Sequence, residues 1–182
     1  MLSFLSSKKS ALASETLVAL EKSLAVIEFE IDGTIIRAND NFLSLMGYSL
    51  AEITGKHHRI FVPTQIRTAP EYDLFWKDLA AGQFKSQAFP RLTKSGKQVW
   101  IEATYNPVFD DRGKVSKIVK FASDITARQE KLAELDGKVE AIGRSQAVIE
   151  FDLDGTIRDA NDNFLSVMGY ELSEIQGKHH RM

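Results

Sequence analysis

The side chains most able to do chemistry here are two adjacent histidines, a tryptophan and an asparagine. His57-His58 recurs as His179-His180, and an imidazole facing an apolar cleft is what haem iron takes as an axial ligand. On a helical turn neighbouring side chains diverge by about 100°, so at most one of each pair faces inward. The plain alternative for either histidine is a surface or cap-forming role. Trp76 offers an aromatic ring for stacking on a ligand, or simply packs in a core. Asn39 could reach a ligand cleft, or cap the helix that begins beside it.

A further pattern points to an enzyme. Asp152-Leu153-Asp154-Gly155-Thr156-Ile157 comes after an apolar strand and resembles the nucleophile motif of haloacid-dehalogenase-like phosphatases. There the first Asp attacks phosphorus and the second serves as acid and base. The chain argues against this from within. The equivalent of Asp152 in an earlier copy of the segment is Glu30, whose extra methylene would misplace a nucleophile. The sequence ends before the Lys and acidic metal ligands that such an enzyme carries downstream of the motif. Asp-Gly-Thr is more simply a hairpin turn, no Gly-rich phosphate loop is present, and the expectation is a protein without catalytic residues.

That earlier copy organises the chain. Residues 25–60 recur as 147–182 at a constant offset of 122, with 27 of 36 pairs identical. Solenoid repeats run about 20–50 residues, so the repeating unit is a whole domain. The expected division is an N-terminal amphipathic helix over 1–24, a complete domain over 25–126, a helical connector over 127–146, and the truncated start of a second domain over 147–182. Chains below about 40 residues seldom fold unaided. The last segment is therefore expected to be poorly ordered or packed on another subunit.

The elements that must position these residues emerge from periodicity. Ala13, Leu17, Leu20 and Leu24 form one stripe of a helix over 10–23, with Ser14 as a candidate cap. Residues 25–30 and Thr34–Arg37 read as a hairpin about Asp32-Gly33. Asn39 or Asp40 then caps a short helix that Gly47 ends. Short turns come next over Leu50–Ile53 and Lys56–Phe61, and a longer helix begins at Pro70 and closes at Gly82. Three strands are expected, at Phe84–Leu92, Gln98–Phe109 and Lys114–Ala122. Their two faces differ, because Val99, Ile101, Ala103 and Tyr105 alternate with Trp100, Glu102 and Thr104. Asp124 or Thr126 caps a helix running to about Arg144, on which Leu132, Leu135, Val139 and Ile142 form a short coiled-coil seam. Together these predict an α+β domain: a five-stranded antiparallel sheet with helices on one face, flanked by amphipathic helices.

Composition narrows the partners. The formal net charge is −2 and no basic run occurs, so nothing favours nucleic acid. No cysteine is present, which removes thiolate metal sites and disulfides. No stretch approaches the ~18 apolar residues that span a bilayer, and the N-terminus lacks the order of a secretory signal. A cytoplasmic location is expected. The flanking helices suggest a homodimer.

The run from Ala25 to Thr126 resembles a PAS sensor domain. The resemblance rests on Ala38-Asn39-Asp40-Asn41-Phe42 with Gly47-Tyr48, on Gly55-Lys56-His57-His58-Arg59, and on Phe75-Trp76 before Ala81-Gly82. Trp100-Ile101-Glu102 with Tyr105-Asn106-Pro107 and the closing Asp124-Ile125-Thr126 complete it. The wording is most similar to the tandem PAS segment at the N-terminus of soluble chemotaxis or aerotaxis transducers and biofilm-dispersal regulators. Histidine kinases and diguanylate cyclases carry similar modules.

The resemblance implies a sensory input module, with haem or FAD as candidate cofactors, relaying to a downstream signalling domain not contained in this sequence. It implies Asn39, His58 and Trp76 as cofactor-binding residues, with His57 a lesser candidate and His58 the metal ligand if haem binds. Trp76 falls where aerotaxis PAS domains place an aromatic ring against FAD, and Asp124, Ile125 and Thr126 fall at the signal-relay junction. A ligand-free dimerisation adaptor is the alternative reading.

Overall fold

The hairpin forms where the sequence places it, because Asp32 and Gly33 supply its turn chemistry. The Thr34 amide donates to Asp32 Oδ1 (2.9 Å), and Gly33 takes the positive φ of 91° that such a turn needs. The computed structural model describes residues 15–182. It contains a first helix with residues 15–23 described (α1), and the candidate cap Ser14 lies outside the described residues. Strands β1 (Ala25–Phe29) and β2 (Ile35–Ala38) make the hairpin, followed by α2 (Asp40–Met46) and α3 (Leu50–Ile53). A 3-10 turn over His58–Phe61, α4 (Thr64–Arg67) and α5 (Pro70–Ala80) complete the helical middle. Next come β3 (Lys85–Leu92), β4 (Gln98–Phe109), β5 (Val115–Asp124) and the long helix α6 (Thr126–Ser145).

These strands form one antiparallel sheet in the order β2-β1-β5-β4-β3. The first and last strands of the unit thus meet at its centre. The inner face carries Ile27, Phe29, Ile101, Ala103, Tyr105 and Ile118, all within 2% of full burial, and packs against Phe42, Ile53, Phe61 and Leu79 from the helices. On the other face Glu28 is held by Arg37 (2.8 Å) and Lys117 (2.6 Å), and Arg37 also pairs with Glu21 of α1. Helices thus fill the inner side, while the outer side bears ion pairs and α1.

The described residues divide into two compact units, 15–127 and 128–182. In the second, β6 (Ile149–Phe151) and β7 (Ile157–Ala160) pair as a two-stranded hairpin, followed by α7 (Asp162–Met168) and α8 (Leu172–Ile175). The Asp152–Ile157 segment is the turn of this hairpin: the Gly155 amide donates to the Asp152 carbonyl (2.9 Å) and the Thr156 amide to Asp154 Oδ1 (2.9 Å).

Candidate functional site: a buried histidine between two tyrosines

His58 is wholly buried at the start of the 3-10 turn. Its Nδ1 lies 2.9 Å from the Tyr72 hydroxyl and its Nε2 2.9 Å from the Tyr105 hydroxyl. Tyr72 comes from α5, placed inward by the helical stripe it shares with Trp76 and Leu79. Tyr105 comes from β4, placed inward by strand alternation. Arg91 of β3 donates from Nη2 to the same Tyr105 hydroxyl (3.1 Å).

These contacts favour one arrangement of the protons. A neutral imidazole donates from one nitrogen and accepts at the other. With Arg91 already donating to it, the Tyr105 oxygen is best satisfied by giving its own proton to Nε2. Nδ1–H then donates to Tyr72. Burial holds the His58 pKa well below its ordinary value, and the positive charges of Arg91 and Lys120 push it further the same way. Burial also raises Tyr105 and lifts Tyr72 to about 12. His58 and both phenols are thus neutral near pH 7.

Two cations complete the cluster. Arg91 is 3% exposed and Lys120 1%, and among the described residues no carboxylate lies within 4 Å of either. Lys120 stands 4.8 Å from the Tyr105 ring centroid and 5.7 Å from that of Phe42. Burial, then the charge of Arg91, depresses its pKa well below the usual lysine value. A lysine can shed its proton in this way; a guanidinium cannot. Arg91 donates from Nη1 to the Pro90 carbonyl (2.7 Å) and lies 4.6 Å over the Phe89 ring, but its Nε–H has no partner. Desolvating an ion costs several kcal/mol, and one cation–π contact returns about 0.5–2.

Arg91 and His58 line a cavity of about 420 Å³ between α4, α5 and β3, walled by Ile66, Tyr72, Phe75 and Phe89. That is within the ~300–1,000 Å³ range of small-molecule sites. A hollow of about 380 Å³ in residues 128–182, bordered by Val139, Ile142 and Ala160, contains no buried titratable group.

Of the residues singled out from sequence, only His58 joins the cavity wall. Asn39 is the N-cap of α2: its Oδ1 accepts from the amides of Phe42 (3.0 Å) and Val26 (2.9 Å), and its Nδ2 donates to the carbonyls of Glu21 and Leu24. Its amide is fully engaged away from the cavity. His57 is the N-cap of the 3-10 turn, with Nδ1 accepting from the Arg59 amide (3.1 Å). Trp76 is 6% exposed behind the wall, with Phe29 at 5.4 Å, His58 at 5.4 Å and Phe75 at 5.9 Å between ring centroids. The Gly33 turn closes on it so tightly that a Cβ at Gly33 would lie 2.8 Å from the indole. The indole N–H draws down the Tyr72 phenol pKa yet meets no acceptor in hydrogen-bonding geometry. Arg91 and Lys120 were not singled out, and Tyr105 was read only as an inward strand position and a mark of the resemblance. Their signal is alternation: β3 buries Phe89 and Arg91, and β5 buries Ile118, Lys120 and Ala122, so each strand carries a cation at a core position.

This arrangement does not fit the two cofactors suggested by resemblance. An axial ligand needs a free imidazole nitrogen facing the cavity, and both His58 nitrogens hold tyrosines. A flavin platform needs an open aromatic face, and Trp76 is enclosed on the protein side of the wall. Among the described residues no group of three or more His, Cys, Asp or Glu could hold a metal ion.

On β4, opposite Pro90, the Trp100 amide donates to Thr126 Oγ1 (2.9 Å), and the Trp100 carbonyl accepts from the Ile125 amide (2.9 Å). Asp124 Oδ1 accepts from the Thr126 amide (2.8 Å) and hydroxyl (2.6 Å). The first residue of α6 is thus fastened to β4.

Comparison with known proteins gives consistent relatives. A family profile described as the PAS fold matches residues 21–130. The biofilm dispersion protein BdlA of Pseudomonas aeruginosa is 46% identical over 91% of this chain. The oxygen sensor protein DosP of Escherichia coli is 26% identical over 63% of it. The chain spans 40% of the length of BdlA and 14% of DosP. Among solved structures, an RNA-binding light-oxygen-voltage receptor superposes with a TM-score of 0.59 at 22% identity, covering 72% of this chain and 38% of that one. A PAS domain from Colwellia psychrerythraea gives 0.55 at 19% identity, covering 64% and 98%. No described helix is long and apolar enough to cross a membrane.

Proposed function

This chain belongs to the PAS-fold family, and on that premise we propose that residues 25–126 are the sensory input module of a cytoplasmic, chemotaxis-type transducer. The cavity beside His58 receives the signal, and α6 carries it towards a downstream signalling domain. One observation bears most of the weight. The strand that brings Tyr105 to the cluster, β4, also holds the first residue of α6 through Trp100. A ligand that repositions Tyr105 therefore strains a strand bonded to the connector. Asp124, Ile125 and Thr126 act as the coupling, not as ligand contacts.

Haem and FAD stay secondary in this reading, because the present walls offer neither a free imidazole nitrogen nor an open tryptophan face. An absorption spectrum of the purified protein decides this directly: a Soret band reports haem and paired flavin bands report FAD.

The relay is tested by amide exchange in the first turns of α6. Phe75→Ala, which opens the cavity wall, should change exchange there. In a Thr126→Val background that response should vanish. An α6 indifferent to every change in the cavity would remove the relay.

A second reading, a dimerisation adaptor, has its own support. Leu132, Leu135, Val139 and Ile142 are 45–70% exposed along α6, as an unpaired coiled-coil seam would be. Sedimentation of a Leu135→Glu/Val139→Glu variant tests it, since a homodimer held by α6 should dissociate.

A further inference from the structure

We infer that the cavity takes a small aromatic carboxylate, whose charge is met by Arg91. The inference rests on the sensory reading of the cavity and adds the chemical class of its occupant.

Three observations converge. Arg91 lines the cavity, is buried and permanently charged, faces no carboxylate within 4 Å among the described residues, and has a buried Nε–H without a partner. One N–H on each of its Nη atoms is held, by the Pro90 carbonyl and the Tyr105 hydroxyl, so the guanidinium is held in place before any ligand arrives. Lys120, 4.8 Å from the Tyr105 ring centroid, has no acid beside it either, and an incoming anion would favour its protonation. Arg91 thus holds a buried positive charge with no carboxylate within 4 Å among the described residues, and an incoming anion would balance it.

The walls set the rest of the molecule. Tyr72, Phe75 and Phe89 enclose the cavity, and Phe75 and Phe89 already meet Tyr105 edge to face, at 4.9 and 5.5 Å. A flat ring extends that packing. Glu71 also borders the cavity, but it is exposed to water, where its repulsion is screened. Carboxylate binding at Arg91 would pull its Nη2 from the Tyr105 hydroxyl or draw Tyr105 with it. Either movement reaches His58 Nε2.

The test uses the full chain, with benzoate and its neutral isostere benzamide as probes. Binding is measured by calorimetry, and α6 amide exchange is read on the same samples. A charge-assisted hydrogen bond is stronger than a neutral one. Benzoate should therefore bind at least about tenfold more tightly than benzamide. In Arg91→Met that preference should fall to near unity, while Arg91→Lys should keep part of it. Equal binding of the two probes to the unaltered protein would overturn the inference without needing any variant to fold. So would a preference that survives in Arg91→Met, or failure of benzoate, phenylacetate and 4-hydroxybenzoate alike to bind at millimolar concentration. The sensory reading fails separately: benzoate would then bind as expected and leave α6 exchange unmoved. If benzamide instead bound as well as benzoate and altered α6, the sensory reading would stand and the carboxylate assignment would fall.

Discussion

Residues 25–60 and 147–182 are nearly the same sequence folded in two surroundings. Their local geometry is the same. Asn39 and Asn161 each cap a seven-residue helix, accepting 3.0 Å bonds from the amides of Phe42 and Phe164. Gly47 and Gly169 end those helices at φ of 74° and 71°. Both hairpins carry the same irregularity one residue before Phe29 and Phe151, and both tie a threonine to the first histidine, Thr34 to His57 and Thr156 to His179. Burial is not the same. Phe29 is fully buried and Phe151 is 47% exposed; Met46 is fully buried and Met168 is 54% exposed. His58 is sealed between two tyrosines, while its equivalent, His180, is exposed. Sequence within the repeat thus sets backbone and caps, and in the first unit α5, β3, β4 and β5 complete the site around His58.

The widest difference should appear in amide exchange. Exchange from β1, in the middle of a five-stranded sheet, should require opening close to global unfolding, about 5–15 kcal/mol. In the second unit β6 pairs only with β7 among the described residues, and an isolated hairpin is marginal in water. Exchange at Ile27 should therefore be at least about a thousandfold slower than at Ile149. Comparable rates would mean that residues 147–182 are stabilised by a covering surface, as the exposed Phe151, Val167 and Met168 would permit.

Side-chain truncation is the next probe. Phe29→Ala removes a ring packed edge-on to His58 and Trp76 and should cost about 3–5 kcal/mol in urea denaturation. Phe151→Ala should cost about 0.5 or less, as for other exposed positions. Equal costs would break the comparison at its centre.

The same contrast explains which features sequence alone could reveal. The hairpin, the Asn39 cap, the Pro70 helix start and the strand over Gln98–Phe109 are local signals, and the structure places elements at all four. The extra turn α4 was not expected, since Pro63 is its only sequence mark and no apolar period accompanies it. The site was harder to read because it is assembled from distant segments: His58, Tyr72, Arg91, Tyr105 and Lys120 come from five elements. No spacing rule joins them. Asn39 and His57 looked chemical because they are polar beside a helix start, and capping is the use that position has for them. Arg91 and Lys120 stood at inward strand positions, where a cation conflicts with the apolar pattern. That conflict, with His58 itself, was the legible trace of the site.

Protonation gives an effect of intermediate size. His58 is neutral when folded, with its pKa well below the ordinary value because of burial, and regains the ordinary value of about 6.5 on unfolding. Its contribution to stability is complete above pH ~6.5. It is lost as pH falls from there towards the folded pKa, because the unfolded chain then binds the extra proton. The slope is about 1.4 kcal/mol per pH unit in that window. His57 adds a smaller slope of the same sign, since burial and Arg59 lower it too. Urea midpoints between pH 7.5 and 5.5 should fall more steeply for the native protein than for His58→Gln. Matching slopes would mean that water reaches the imidazole and the tyrosine pair does not seal it.

The smallest expected difference is the most exacting check on what is local. Gly47 and Gly169 hold the left-handed conformation that ends α2 and α7, and an alanine there costs roughly 1–2 kcal/mol through its own backbone. Space does not enter: a Cβ at Gly47 would come no nearer than 3.8 Å to Lys94, and one at Gly169 meets nothing within 4 Å. Gly47→Ala and Gly169→Ala should therefore weaken the Gly47–Leu43 and Gly169–Leu165 capping bonds by equal amounts. The change in local opening free energy of the α2 and α7 amides, relative to the unaltered chain, should agree to within about 0.5 kcal/mol, the tolerance of additive, independent sites. A much larger penalty at Gly47 would show that burial reaches the caps as well as the side chains. Local geometry in the repeat would then depend on its surroundings, and the separation of backbone from site would not hold.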